Sequence, residues 1–238
     1  LYIHVGQWNT AAVKTDGTLW TWGEAGADTG YLGRDSTTDT SSPVQVESDT
    51  DWRIAFQSRS NGMGIRTDGT LWGWGGYAKL LGSGTTLAPN PIQIGSDTDW
   101  ANVIIGDNSS MAVKTTGTLW ATGCHDSGRT ALNTTTSAAS THQQVGSLTD
   151  WPVATAFYTK FASGEGRGFA IKQDGKLWSW GKNTRGVLGH NTVTNTSSPV
   201  QFGAESTWAK VHCHAQSDIV FAINDAAELW FAGNGHEG

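Results

Sequence analysis

Cysteine is scarce in this chain, with two in 238 residues, too few for a disulfide framework and silent about redox compartment. Basic residues are also few: 15 Lys and Arg stand against 21 Asp and Glu, for a net charge of −6. Without a basic stripe, a duplex nucleic acid is not an expected partner. No apolar run approaches the ~18 residues that cross a bilayer, so no membrane insertion is expected. No stretch keeps a helical apolar period for long enough to predict a helix. A signal-peptide pattern is missing, and the chain opens at Leu1 rather than Met, which suggests processing, a fragment or a cloning boundary. Nucleophile-elbow, P-loop and His-Glu-x-x-His motifs are absent too, so the chain reads as a non-enzyme without a cofactor.

What the chain does have is tryptophan, 13 of them, and glycine, 31. They return in one phrase. Thr15 to Gly23 reads TDGTLWTWG and Thr67 to Gly75 reads TDGTLWGWG. Looser copies follow at Thr115 to Gly123, Gln173 to Gly181 and Asp225 to Gly233, and the Leu-Trp pairs are separated by 52, 48, 58 and 52 residues. Such a period marks a repeat architecture in which each unit buries its apolar face against its neighbours.

Each unit reads as about four short strands. In the third, Trp100 precedes Val103 to Ile105, then come Met111 to Lys114, a turn, and Leu119 to Gly123. The turn carries Asp16-Gly17, Asp68-Gly69 and Asp174-Gly175, replaced by Thr116-Gly117 and Ala226-Ala227 elsewhere. An Asp-Gly pair predicts a tight hairpin with positive φ at both central residues, looser in the last unit. Pro43-Val44-Gln45-Val46 predicts a further strand, repeated from Pro91, Pro199 and, without the proline, His142. Four strands per period make one propeller blade. The expected fold is all-β: a β-propeller of about five four-stranded blades spanning residues 1–238 as one domain, either a closed five-blade ring or an arc of a larger ring. Twelve tryptophans occupy repeat positions and are expected in the core, which leaves Trp8 alone outside the pattern. From Trp151 to Trp178 is 27 residues where other units have 20 or 22, which places an insertion around Ala156 to Ser163, a candidate contact loop.

The joint pattern W-x-x-V-x-x-G, A-V-K-T-D-G-T-L-W-x-W-G, L-G, S-S-P-V-Q-V resembles the regulator of chromosome condensation repeat over essentially the whole chain. The linker Gly181 to Gly189, GKNTRGVLG, is similar to that family's Asn-x-x-Gly-x-Leu-Gly stretch. The resemblance implies a β-propeller, usually seven-bladed in eukaryotic members, and carries no single function. The founding member exchanges nucleotide on a small GTPase and binds chromatin, and a relative inhibits a β-lactamase. This chain departs from the exchange factor in its five units, its lack of a basic tail and its lack of a long wedge-like insertion. Its wording, with Ser-Asp-Thr-Asp-Trp and Ser-Ser-Pro-Val-Gln-Val, looks more like bacterial and phage versions.

The loops after each Leu-Trp strand differ most between units, and they hold the candidate binding residues Glu24, Tyr77, Lys79, His125, Arg129, Lys182, Arg185, His190 and His236. Trp8, in the loop after Gly6, is either a further binding aromatic or a cover for a neighbouring hairpin. His212-Cys213-His214, with Cys124-His125, has metal-ligand chemistry, but Cys213 falls at an apolar strand position, so no metal is expected. Asp49-x-Asp51 and Asp97-x-Asp99 suit calcium, yet short Asp/Thr turns explain them with less. Gly164-x-Gly166-x-Gly168 lacks the strand-to-helix setting of a dinucleotide site. The expected function is a non-enzymatic protein-binding or assembly module. Its finer form is a phage virion surface or tail component acting in assembly or host attachment, virion-borne or extracellular, whose partners are virion proteins or a host surface receptor. The alternative is a regulator of a small GTPase, or an inhibitor of another enzyme, acting through the rim loops in the cytoplasm.

Overall fold

Short apolar-polar alternations on either side of a turn make each repeat an antiparallel meander. The computed structural model describes residues 1–26, 30–76, 87–106, 108–136, 138–153, 157–164, 166–213 and 218–233. Blade 1 holds β1 (Tyr2–Val5), β2 (Asn9–Val13), β3 (Leu19–Gly23) and β4 (Thr40–Val46). Blade 2 holds β5 (Trp52–Gln57), β6 (Asn61–Arg66), β7 (Leu71–Gly75) and β8 (Ala88–Gln93). Blade 3 holds β9 (Trp100–Ile105), β10 (Ser109–Lys114), β11 (Leu119–Cys124) and β12 (Ala138–Gln144). Blade 4 holds β13 (Phe161–Gly164), β14 (Arg167–Ile171), β15 (Leu177–Gly181) and β16 (Thr196–Gln201). Blade 5 holds β17 (Trp208–Cys213), β18 (Ile219–Asn224) and β19 (Leu229–Gly233), three strands among the described residues. Each sheet pairs its strands in sequence order, and the first strands of all five line a common axial cavity.

The hairpin turn differs from the expected one. In blade 1 the Lys14 N–H donates to the Thr18 carbonyl and the Gly17 N–H to the Lys14 carbonyl, enclosing three residues. Only the glycine has positive φ, +79° at Gly17 and +82° at Gly69, while Asp16 and Asp68 do not. The three-residue loop leaves the aspartate free to cap: the Asp16 carboxylate accepts from the Thr18 N–H and hydroxyl, and that hydroxyl accepts from the Trp20 indole N–H.

The same turn locks one blade to the next. The carbonyls of Gly17, Gly69, Gly117 and Gly175 accept the N–H of Trp52, Trp100, Trp151 and Trp208 at 3.0–3.2 Å. The linker so held lies against the glycine. A β-carbon on Gly69 would stand 2.0 Å from the Thr98 carbonyl oxygen. The glycine is therefore needed for its bare α-carbon as much as for its dihedral. Above the latch, Ala11, Val13, Leu19 and Val46 of blade 1 bury against Trp52, Ala55 and Trp74 of blade 2. Phe169, Ile171 and Leu177 of blade 4 meet Trp208, Val211 and Val220 of blade 5 in the same way. Edge-to-face indole pairs, Trp100 with Trp120 and Trp208 with Trp230, sit 6.0 Å apart.

Helix is confined, among the described residues, to a single turn α1 (Phe157–Lys160) and a 3-10 turn at Asp126–Gly128. The insertion lies slightly upstream of its expected place, because β13 already occupies Phe161–Gly164 and Ala156 falls outside the described residues. Trp151 keeps its latch to Gly117, so the extra chain must re-enter the strand by a detour. Lys160 anchors that detour by donating to the Trp208 carbonyl at 3.2 Å.

The sheets do not close into a ring. Leu1, Ile3 and Val5 of blade 1 face solvent, as do Phe221, Leu229 and Phe231 of blade 5. Their counterparts inside the stack, Val103, Ile105 and Leu177, are buried. The arc, rather than the closed five-blade ring, is the arrangement observed.

Candidate functional site

The repeat absorbs the acidic pairs. Arg66 lies 3.8 Å from the Trp72 ring centroid and 4.8 Å from that of Trp52, and ion-pairs with Asp49 at 2.6 Å and Asp51 at 3.6 Å. Lys114 repeats the arrangement between Trp100 and Trp120, with Asp97 at 2.8 Å and Asp99 at 3.1 Å. Burial opposes its charge, but hydrogen bonds to the two carboxylates outweigh that and raise its pKa. Lys172, between Trp151 and Trp178, takes Asp150 at 2.7 Å. The carboxylates that suited calcium thus serve a cation of the protein itself. Among the described residues no group of three or more His, Cys, Asp or Glu could hold a metal ion. Cys213 faces the interior, where burial pushes its thiol up to about 12, and His214 lies outside the described residues.

With turns and linkers committed to the latch, the opposite end carries the loops joining first to second and third to fourth strands. Trp8 stands there 45% exposed, and the Arg59 guanidinium stacks 4.5 Å from its ring centroid. Buried Asn9 fixes both loops: its side-chain amide donates to the Arg59 carbonyl at 3.1 Å, and its own carbonyl accepts the Gly6 N–H. The Glu24 N–H donates to the Trp8 carbonyl, which places Glu24 beside this pair. Trp8 and Arg59 also line the lip of the axial cavity, about 560 Å³, together with His4, Gln57, Ser163 and His212. Burial holds the His4 imidazole neutral, with its pKa lowered to about 4, and its Nδ1 accepts the Gln57 N–H.

Further round the same end the structure gathers cations of blades 3 and 4 beside a carboxylate of blade 5. Arg167 opens β14, the position held by Asn9, Asn61 and Ser109 in blades 1 to 3. It is only 1% exposed and reaches across to Asp218 of blade 5 at 2.7 Å. Arg185 shares that carboxylate at 3.3 Å. Arg129, ion-paired with Asp126, brings its guanidinium to Gly166, where it and the Lys182 β-carbon flank a notch that would just admit a methyl group. Arg129 also accepts the Trp180 indole N–H on its carbonyl, which fixes its loop to blade 4.

The expected binding residues therefore separate. Arg129, Lys182 and Arg185 come together, and Trp8 and Glu24 form a second group. His125 turns inward to Thr130, and His190 hydrogen-bonds Ser179 at 2.8 Å, with burial lowering the pKa of both imidazoles. These two histidines close their own loops. Tyr77, Lys79 and His236 lie outside the described residues. Arg59, Arg167 and Asp218 were not among the expected residues. Arg167 was visible in principle, as the one repeat position where an arginine replaces a short polar residue.

Residues 174–219 match the Regulator of chromosome condensation (RCC1) repeat, and residues 158–187 match a second description of the same repeat. The mitochondrial RCC1 domain-containing protein RUG3 of Arabidopsis thaliana is 32% identical over 76 residues, which is 32% of this chain and 17% of that protein. Prp20p of Saccharomyces cerevisiae superposes with a TM-score of 0.80 at 16% identity, over 98% of this chain and 57% of that one. Human WBSCR16 superposes with a TM-score of 0.74 at 19% identity, over 90% of this chain and 56% of that one. The chain thus spans little more than half the length of the solved structures it resembles, and those likenesses carry the fold.

Proposed function

The chain is built from regulator of chromosome condensation repeats on a β-propeller, and from that premise we propose that it is a protein-binding module that works through its loop end, without catalysis. One observation carries this reading. The repeat spends its turns, linkers and acidic pairs on blade-to-blade contact, while the departures from the repeat, Trp8 with Arg59 and Arg167 with Asp218, form two groups at the other end. The exposed side chains at that end, Trp8 and Arg59 held by buried Asn9 and Arg185 on the carboxylate that buried Arg167 anchors, are the ones available to a partner.

The test is affinity capture with wild-type protein, a Trp8→Ala/Arg59→Ala variant and a latch-end control, Lys176→Ala, all checked by circular dichroism. A partner retained by the control and lost by the loop-end variant supports the reading; a partner retained by both overturns it. The finer proposal, a virion component meeting another virion protein or a host receptor outside the cell, rests on the wording of the repeats. Mass spectrometry of purified particles tests it, and absence from every particle fraction rejects it. A second reading has a specific observation behind it: Prp20p, which shares the fold, has been characterised for binding to Gsp1p and histones. Regulation of a small GTPase in the cytoplasm would show as faster nucleotide release from a labelled GTPase, and an unchanged rate rejects it.

A further inference from the structure

Blade 5 turns toward solvent the same three residue types that blade 4 buries. Phe221, Ile223 and Leu229 stand in the same register as Phe169, Ile171 and Leu177, which blade 5 itself covers with Trp208, Val211 and Cys213. The blade 4 residues are fully buried, whereas Phe221 is 42% and Leu229 65% exposed, and Phe231 enlarges the patch. The far side of blade 1 presents the complementary half. Ile3 and Val5 hold the positions of Val211 and Cys213 and are exposed. Half-buried Trp22 holds the position of Trp180, which is buried against blade 3. Each face is thus one half of the contact that successive blades make within the chain. Side-chain donors give that contact a direction. Arg53 of blade 2 donates to the Trp100 and Ala101 carbonyls of blade 3 at 2.9 and 2.7 Å. Asn102 of blade 3 donates to the Val153 carbonyl, ahead of blade 4, at 3.2 Å. Lys210 holds the place of Asn102 on blade 5 and stands exposed.

We propose that the blade 5 face of one molecule docks on the blade 1 face of a second copy of this chain, continuing the stack between molecules. Phe221 and Leu229 then meet the second copy's Ile3 and Val5, and Lys210 donates to the backbone at the start of its β1. The inference goes beyond the protein-binding reading, because it uses the sheet faces and leaves the loop end free. Two observations select a second copy as the occupant. The chain carries both halves of the contact, and the packing of blade 5 on blade 4 is its pattern. Ala227, moreover, puts a β-carbon where the linker to a following blade docks in the other turns. At Gly69 such a carbon would stand 2.0 Å from the linker carbonyl oxygen, so a blade tethered in that way does not fit beside Ala227. A blade of another molecule need not run its chain past that turn. The contact is head-to-tail, so it extends to further copies instead of ending at two.

The experiment is sedimentation velocity on the whole chain, wild type and two variants, Ile3→Asp on the blade 1 face and Leu229→Asp on the blade 5 face. The mass of the wild type should rise with concentration beyond that of one chain. Each variant alone should stay a single chain, because every head-to-tail contact needs both faces. An equal mixture of the two should form a complex of two chains and stop there, since each variant keeps the face that the other has lost. Both substituted side chains are exposed, and circular dichroism checks that the variants keep their fold. Val5→Asp and Phe231→Asp replace any variant that does not. A wild type that remains a single chain at every concentration, or a variant that assembles as the wild type does, overturns the proposal. So do two single-chain variants that fail to combine, which would place the contact elsewhere. Neither variant touches Trp8 or Arg59, so these outcomes leave the loop-end reading to its own test.

Discussion

The two ends of this propeller obey different rules. At the latch end, four successive glycine carbonyls receive four successive tryptophan N–H groups, and a cation between two indoles recurs in blades 2, 3 and 4. At the loop end no two blades carry the same side chains: Trp8 and Glu24, then Ser58 and Arg59, then Arg129, then Arg167, Lys182 and Arg185. Repetition at one end gives stability additively, interface by interface. The variable end is held in place by that stack and contributes little to it. Substitutions should therefore be costly at the first end and nearly silent at the exposed positions of the second, and the ordering below tests that division.

The largest effect is expected at the latch. Gly69→Ala adds a methyl 2.0 Å from the Thr98 oxygen, at a φ of +82°, and backbone on both sides prevents relief. Urea denaturation should show a loss of roughly 3 kcal/mol or more, or two transitions as the blades uncouple. Arg66→Met comes next. It strands Asp49 and Asp51 beside two indoles and should cost about 2 kcal/mol, while Arg66→Lys should recover most of it because Lys114 and Lys172 already work in that position. A Met variant as stable as wild type would show that the sandwich contributes nothing.

Acid comes third. His4 and His142 are both desolvated, with pKa values lowered to about 4 from an ordinary value near 6.5. Between those values the unfolded chain takes up protons that the folded chain refuses, so stability is full above about pH 6.5 and falls as pH drops toward 4. Thermal melts should lose roughly 2–3 kcal/mol per imidazole across that window, and His142→Gln should remove its share of the slope. A flat profile from pH 7 to 4.5 would show that neither ring is shielded from water.

Much of the latch end was legible in sequence, because its signals are local and repeated: the Leu-Trp pairs gave the third strands, and the spacing gave the blades. The turn type was misread because Asp-Gly serves two hairpin geometries, and the choice depends on the linker that docks against the glycine. The Asp-x-Asp pairs were ambiguous for a related reason, since Arg66 and Lys114 lie 15–17 residues beyond them and meet them only when the next hairpin folds back. At the loop end the sequence named Arg129, Lys182 and Arg185 but could not join them. Arg167 and Asp218 meet across two blades, and His125 and His190 turn inward to hydroxyls whose direction no linear pattern records.

Blade 5 offers a smaller test with the opposite sign. Ala227 occupies the latch-glycine position and keeps φ at +62°. Its β-carbon fills the space into which linkers dock at Gly17, Gly69, Gly117 and Gly175. Ala227→Gly should therefore stabilise, by about 0.5–1 kcal/mol, the only substitution at a latch position expected to do so. If it destabilises instead, the alanine methyl has a contact of its own.

The smallest effect on stability is expected where the functional reading is strongest. Lys182→Ala and Arg185→Ala should each fall within about 0.5 kcal/mol of wild type, since an exposed ion pair contributes little and Asp218 retains Arg167 when Arg185 is removed. Arg167→Ala is the informative contrast at the same carboxylate, because it empties a buried position and should cost several times more. Measuring the three by urea denaturation separates the two arginines on Asp218. Equal losses at Arg167 and Arg185 would mean that both serve the blade 4–blade 5 contact, and the cluster would then be part of the latch system rather than a surface kept apart from it.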